Sequence, residues 1–271
     1  MTSPAIGSWL VMADKHTLIC GIPANIRGVL VRQPTLHEIL RVLGYDKYSG
    51  YLYLLGITVE QFMESMDKDE IGGGKEIAAA YQRLTDEQRA QIHRLDLLLA
   101  EPSWRGILMD ALSFFICGEL DFDLQHGDLY VVTDNSRVLM DNDLFDRVRN
   151  FVFQAARLKH EENKPTGFVN KAAQAAYEKL QALKAEQAAN TKKKDTKSDP
   201  DMELWNLIGA VAAHSRGYNL LNIFELTVYQ LYDQFERINH QEYLDGYASK
   251  WAAWGKDSFD FGGWYKTSSN K

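Results

Sequence analysis

Three short stretches of this 271-residue chain carry residue types that could do chemistry, and none completes a motif. Gly72-Gly73-Gly74-Lys75 has the glycines and the lysine of a phosphate-binding loop. That loop also needs a glycine where Asp69 stands and a hydroxyl residue after the lysine, where Glu76 stands. A flexible turn is the expectation. Asp121-Phe122-Asp123, with Gln125 and Gly127, has the carboxylates of a calcium loop. The sixth position, which needs glycine, holds His126, and the twelfth, which needs glutamate, holds Val132. A solvated acidic loop is the expectation there. Asp141-Asn142-Asp143 is explained by helix capping without a metal.

The histidines are His16, His37, His93, His126, His160, His214 and His240. No two stand at metal-ligand spacing on one helix, and none joins a cysteine in a zinc pattern. Cys20 and Cys117 both follow apolar residues, which predicts two buried thiols in a reducing compartment. The chain has no Gly-x-Ser-x-Gly elbow, no dinucleotide glycine fingerprint and no His-Glu-x-x-His helix. The expectation is a protein with no catalytic residue, no metal and no cofactor, hence not an enzyme.

The composition frames that expectation. Thirty Lys and Arg stand against 37 Asp and Glu, a net charge of −7, and that acid excess argues against a dedicated nucleic-acid binder. The one basic run, Lys192-Lys193-Lys194 with Lys197, is interleaved with Asp195, Asp199 and Asp201 and reads as a solvated linker. The longest apolar stretches, near Leu52–Leu55 and Leu112–Cys117, are much shorter than the roughly 20 residues of a membrane span. Met1-Thr2-Ser3-Pro4 carries neither a basic region nor a long apolar run. A cytoplasmic protein is expected.

Along the chain, Thr17–Cys20 and Gly28–Val31 read as short strands, with Gly21, Pro23 and Asn25 as turn residues between them. Thr35 and Glu38 stand at capping-box spacing before a helix that ends near Gly44. Helices are predicted over Tyr45–Leu55, from Thr58 through Met66, and from the Thr85–Gln88 cap through Leu98 to a stop at Pro102. An apolar helix follows from Trp104 to Glu119. Leu129–Val132 and Arg137–Met140 form a hairpin about Asp134-Asn135-Ser136, and Asp141 or Asn142 caps a helix through Ala155. Residues 171–189 have helix-forming composition with little to bury. Beyond Met202, one helix covers Leu204–His214, a second starts at Asn222, and a third runs from Gln241 to Trp254. The fold class is therefore mainly α, a helical protein with one or two small β-hairpins. It comprises an N-terminal α-rich domain over 1–165, an exposed helix and flexible linker over 166–201, and an aromatic-rich C-terminal helical subdomain over 202–271.

The order of these segments resembles bacteriophage tail assembly chaperones. The likeness is carried by Pro34-Thr35-Leu36-His37-Glu38-Ile39, the Tyr-rich Tyr45–Leu55, Met140-Asp141-Asn142-Asp143-Leu144-Phe145 and Leu226-Thr227-Val228-Tyr229-Gln230-Leu231-Tyr232-Asp233-Gln234-Phe235-Glu236-Arg237. Trp205-Asn206-Leu207-Ile208 and the closing tryptophan also fit. It is weak over 1–16, 67–100 and 165–200, where Gly72–Gly74 looks like local elaboration. The resemblance implies a protein that binds the long helical tape measure protein, keeps it soluble, assists tail tube assembly through the tube subunits, and is absent from the mature virion. It implies work in the host cell cytoplasm. A structural tail component retained in the particle is the alternative. Many copies along one rod imply self-association. Partner contact is expected at Phe224, Tyr229, Tyr232, Phe235, Trp251, Trp254 and Trp264, while core packing competes for each, because helix-spaced aromatics more often face a core.

Overall fold

The chain is mainly α with two small antiparallel sheets. The structure, a computed structural model, describes residues 15–68, 74–89, 91–133, 136–158 and 203–255. These divide into two compact units. The first holds 15–158 together with 224–233; the second holds 203–223 and 234–255. The C-terminal part expected as one subdomain from 202 is thus shared between them. The linker placed at 166–201 lies outside the described residues.

The first unit opens with helix α1 (Lys15–Cys20) and a hairpin of β1 (Ala24–Ile26) and β2 (Val29–Val31). Arg27 and Gly28 turn the hairpin with φ of 52° and 89°, and the Asn25 side chain accepts from the Gly28 N–H at 2.9 Å. Thr17–Cys20, expected as a strand, is helical instead. Local β-propensity loses to tertiary hydrogen bonds: Gln33 donates to the Thr17 carbonyl and Gln230 to the Ile19 carbonyl, capturing acceptors at the helix C-terminus. β1 itself falls in the stretch read as turn.

Four Thr-x-x-Glu/Gln boxes then place the helices. At each, the Thr hydroxyl accepts from the backbone N–H three residues on, and that residue's side chain accepts from the Thr N–H. Thr35 with Glu38 starts a π-helical turn over Glu38–Leu43, and Thr58 with Gln61 starts α3 (Val59–Lys68). Thr85 with Gln88 starts α5 (Asp86–Arg89), and Thr227 with Gln230 starts the last helix. Between these lie α2 (Tyr45–Gly56) and α4 (Gly74–Gln82). Burial pushes the Glu38 carboxyl up, but the Thr35 N–H and the Arg32 guanidinium outweigh it and hold the group below its ordinary value.

The helix expected from Thr85 through Leu98 is two helices. After α5, Gln91 and Ile92 donate to carbonyls three residues back, and His93 takes extended backbone before α6 (Arg94–Ala100). Leu95, Leu98 and Leu99 of α6 are buried. Pro102 opens the next helix rather than stopping one. It is the first residue of α7 (Pro102–Phe115), where a missing N–H costs nothing, and Glu101 caps it by accepting from Ser103. α7 packs against α2 and α6 with Leu108, Ala111, Leu112 and Phe115 inward. It ends at Phe115, four residues before the expected Glu119. There β2 captures the chain: Arg32 N–H donates to the Phe115 carbonyl at 2.7 Å and Cys117 N–H to the Leu30 carbonyl at 2.8 Å.

The acidic loop expected at Asp121–Asp123 is a strand, β3 (Glu119–Asp123), which pairs with β4 (Asp128–Thr133) and leads to β5 (Ser136–Leu139). Phe122 and Leu120 alternate with carboxylates there, a half-covered strand pattern masked by the acid count. Asp123 closes the turn, accepting from the Gln125 N–H and His126 N–H and pairing with His126 Nδ1 at 2.6 Å. That pair raises His126 above, and lowers Asp123 below, their ordinary values. Gly118 marks the crossing from one sheet to the other. A Cβ there would stand 2.9 Å from the Val132 carbonyl.

Both cysteines are free and exposed, contrary to the expected buried thiols. Ile116 takes the inward position of the extended segment, so alternation turns Cys117 outward. Cys20 ends α1, where Leu18 is the buried residue.

Asp141 caps α8 (Asn142–Ala155), accepting from Leu144 N–H at 2.8 Å. It also holds Arg27 at 2.8 Å, while Asp143 bridges Arg27 and Arg147. The hairpin turn is thereby fixed to the start of α8. Residues 224–233 complete this unit. The Leu36 N–H donates to the Leu226 carbonyl at 2.8 Å, Thr35 bridges Thr227, and Leu226, Val228, Tyr229 and Leu231 are buried.

In the second unit, α9 (Leu204–His214) matches its expected bounds. The two helices expected beyond it are one, α10 (Val228–Trp254), preceded by a 3₁₀ turn over Ile223–Glu225. Asn222 caps no helix; its side chain closes the preceding loop. Among the described residues, no helix is long and apolar enough to cross a membrane.

Asp141→Ala removes a cap and an ion-pair partner and is expected to cost about 1–2 kcal/mol in urea unfolding at pH 7. Burial raises the Asp141 carboxyl, but the Leu144 N–H and Arg27 outweigh it, so the folded group titrates below its ordinary value. Its contribution is present above the unfolded carboxylate pKa and is lost as pH falls through the folded one. The penalty of the variant therefore shrinks in acid. Both thiols are expected to react with a disulfide reagent in the native protein, without denaturant; fewer than two equivalents would contradict their exposure.

Candidate partner-binding surface

The aromatic residues singled out from the sequence fall in both units. Phe224 and Tyr229 are tied into the first unit, each beneath a guanidinium: Arg41 lies 4.2 Å from the Phe224 ring centroid and Arg157 4.8 Å from that of Tyr229. Arg157 sits in left-handed conformation (φ 57°) directly after α8. Tyr232 is half-buried on the same segment, and burial, followed by the Tyr45 hydroxyl, pushes its phenol above its ordinary value. Of these three, Tyr229 is buried, while Phe224 and Tyr232 are half-buried. Phe235 and Trp251, in the second unit, are half-buried. Trp254 is 80% exposed. Trp264 lies outside the described residues.

The second unit exposes other apolar groups that the sequence reading did not name as partner contacts. Trp205 stands exposed at the start of α9. Past the end of α9, Leu220 and Leu221 form a loop tip at which Leu221 is 92% exposed. The loop is strongly ordered by its own hydrogen bonds. The Ser215 hydroxyl accepts from Gly217 and Tyr218, and the Asn222 side chain accepts from Asn219 N–H at 2.8 Å and donates to the Gly217 carbonyl. The Asn219 side chain accepts from Leu221 N–H at 2.8 Å. A water-facing leucine pair on a loop held by its own hydrogen bonds is pre-organised for contact with an apolar surface. The signal in the sequence was Asn219-Leu220-Leu221-Asn222 itself, two turn-forming asparagines bracketing two leucines.

On α10, Tyr243 (69% exposed) and Tyr247 stack with ring centroids 6.5 Å apart and planes 9° apart. His214, at the end of α9, stands 3.5 Å from Glu242 of α10. The stripe was hidden by the expected break between two helices, which put Gln241 at a helix start.

The first unit holds a cavity of about 720 Å³ lined by Asn25, Leu30, Cys117, Glu119, Thr133 and Ser136, among others. The Thr133 and Ser136 hydroxyls bond each other at 2.8 Å. Its described lining includes no histidine, lysine or arginine to activate the Cys117 thiol. Among the described residues, no three His, Cys, Asp or Glu side chains converge as metal ligands.

Fold and surface together describe a mainly α protein whose second unit presents pre-ordered apolar side chains to solvent. Residues 191–269 are similar to the family model of the YomV second domain, a phage-derived family of the Bacillus prophage SPbeta type, which points to a phage protein. That stretch contains α9, the leucine tip and α10. No curated protein and no solved structure matches the chain.

Tyr229→Ala is expected to cost about 3–5 kcal/mol in chemical denaturation, as a buried ring lost from a closed core. Leu221→Ser should change stability by less than about 0.5 kcal/mol. A large loss at Leu221 would mean the tip is structural.

Proposed function

We propose that this chain is a non-catalytic tail assembly chaperone of a phage or prophage. In this reading it binds the tape measure protein in the host cytoplasm, keeps it soluble while tube subunits assemble around it, and leaves before the particle is complete. The observation that carries the reading is a coincidence in one stretch. The residues similar to a phage-derived domain are the same ones that present Trp205 and the ordered Leu220–Leu221 tip to solvent. A long helical rod exposes apolar faces that aggregate before assembly. A leucine tip inserting between such side chains covers them, at about 1.5–3 kcal/mol per buried leucine. The collinear likeness to tail assembly chaperones supports the same reading. The net charge of −7 keeps such a complex soluble and suits a protein rather than a nucleic-acid client.

Affinity capture of the tagged chain from phage-producing cells, with mass spectrometry of eluate and purified particles, tests this. A long helical tape measure protein should appear in the eluate, and this chain should be missing from particles. The Leu220→Ser/Leu221→Ser variant should recover roughly tenfold less of that partner. Stoichiometric presence of the chain in particles would make it a structural tail component instead.

A further inference from the structure

The cavity of the first unit, about 720 Å³, is within the size range of small-molecule sites. It opens where three pieces of chain meet: the β1–β2 hairpin, the crossing at Cys117 and Gly118, and the β4–β5 end. Leu30 and Val132 give it apolar wall, and Glu119, the cross-strand partner of Val132, stands on the same face as that residue. Its polar side chains chiefly present acceptors. The Thr133 hydroxyl donates to the Ser136 carbonyl at 3.2 Å, which leaves the Ser136 hydroxyl to donate to Thr133 Oγ1 at 2.8 Å. Both hydroxyl protons are then used within the β4–β5 end, and the Ser136 oxygen keeps lone pairs for an outside donor. The Glu119 carboxylate has no hydrogen bond or ion pair among the described residues. The guanidinium groups of the same two hairpins are engaged elsewhere, Arg137 with Asp121 and Arg27 with Asp141, each at 2.8 Å.

We propose that this cavity binds a small organic cation, an ammonium or guanidinium group on an apolar arm. The charged head donates to Glu119, a charge-assisted hydrogen bond, with the Ser136 oxygen as a second acceptor on the wall. The arm covers Leu30 and Val132. An anion would stand against Glu119 with the Asn25 amide and a weak thiol donor, Cys117, as the side-chain donors to offset it. The space is larger than one lysine or arginine side chain fills, which favours a free molecule over a side chain of a partner protein. The cavity belongs to the first unit and lies outside residues 191–269, so the inference does not depend on what the leucine tip binds.

Amide proton–nitrogen correlation spectra of the full-length chain test it, with phenethylamine as the probe and hydrocinnamate, the same arm with the opposite charge, as the control. Phenethylamine should shift the amides of Gly28, Cys117, Gly118 and Glu119 and saturate in the millimolar range, the affinity open to so small a ligand. Hydrocinnamate should bind at least roughly tenfold more weakly. Glu119→Gln should weaken phenethylamine by roughly tenfold, the loss of one charged hydrogen bond. Glu119 is exposed, so the variant should keep the wild-type spectrum away from the cavity. The thiol gives a second, local readout. In a Cys20→Ser background Cys117 is the remaining cysteine, and phenethylamine should slow its alkylation by iodoacetamide severalfold. No saturating shift at those amides up to tens of millimolar overturns the inference. So does equal binding of the two probes, a Glu119→Gln variant that binds phenethylamine as the wild type does, or an alkylation rate indifferent to the amine.

Discussion

The first unit closes only through a segment that arrives some seventy residues after its other elements. Leu226, Val228, Tyr229 and Leu231 fill its core, and the Leu36 N–H and the Ile19 carbonyl find partners in that segment alone among the bonds described. Each apolar side chain contributes about 1.5–3 kcal/mol, and leaving the polar partners unpaired costs a further 1–3 kcal/mol apiece. The N-terminal hairpin, α1 and the Thr35 box all lean on this insertion. Gly21 (φ 66°) shows how closely: a Cβ there would stand 3.1 Å from the Gln230 amide.

Much of the local structure was legible because it is written in local chemistry. Thr35 with Glu38, Asp141 before an i, i+3, i+4 stripe, and Leu204–His214 each signal a helix through spacing alone. What could not be read depends on distant residues. Thr17–Cys20 looks like a strand until Gln33 and Gln230 take its carbonyls. Pro102 looks like a stop until Glu101 shows it to be a first helical residue. α10 looks like two helices because Ile238 to Gln241 weakens its apolar period, and only the continuous backbone shows Tyr243, Tyr247 and Trp254 on one side.

The aromatic residues of the candidate surface differ widely in burial, which spacing alone does not show. Counting aromatic residues led to Phe224 and Tyr229, which stand beneath the guanidinium groups of Arg41 and Arg157 in the first unit. The exposed groups include Trp254 from that count, but also Trp205, leucines between asparagines and tyrosines one turn apart. Aromatic content marks where burial is large, whichever side of the surface supplies it. The outward position of Leu220 and Leu221 is seen only with the folded 215–223 loop and its hydrogen bonds.

The late arrival of 224–233 has a consequence during synthesis. At about 5–20 residues per second, the ribosome needs roughly 4–15 s to pass from residue 159 to 233. Throughout that interval the residues that bond Leu36 and the end of α1 in the finished fold have not been made. The chain is thus transiently a client for the same kind of apolar shielding it is proposed to give, and its yield in cells should follow translation speed across 160–223 as closely as it follows any single side chain.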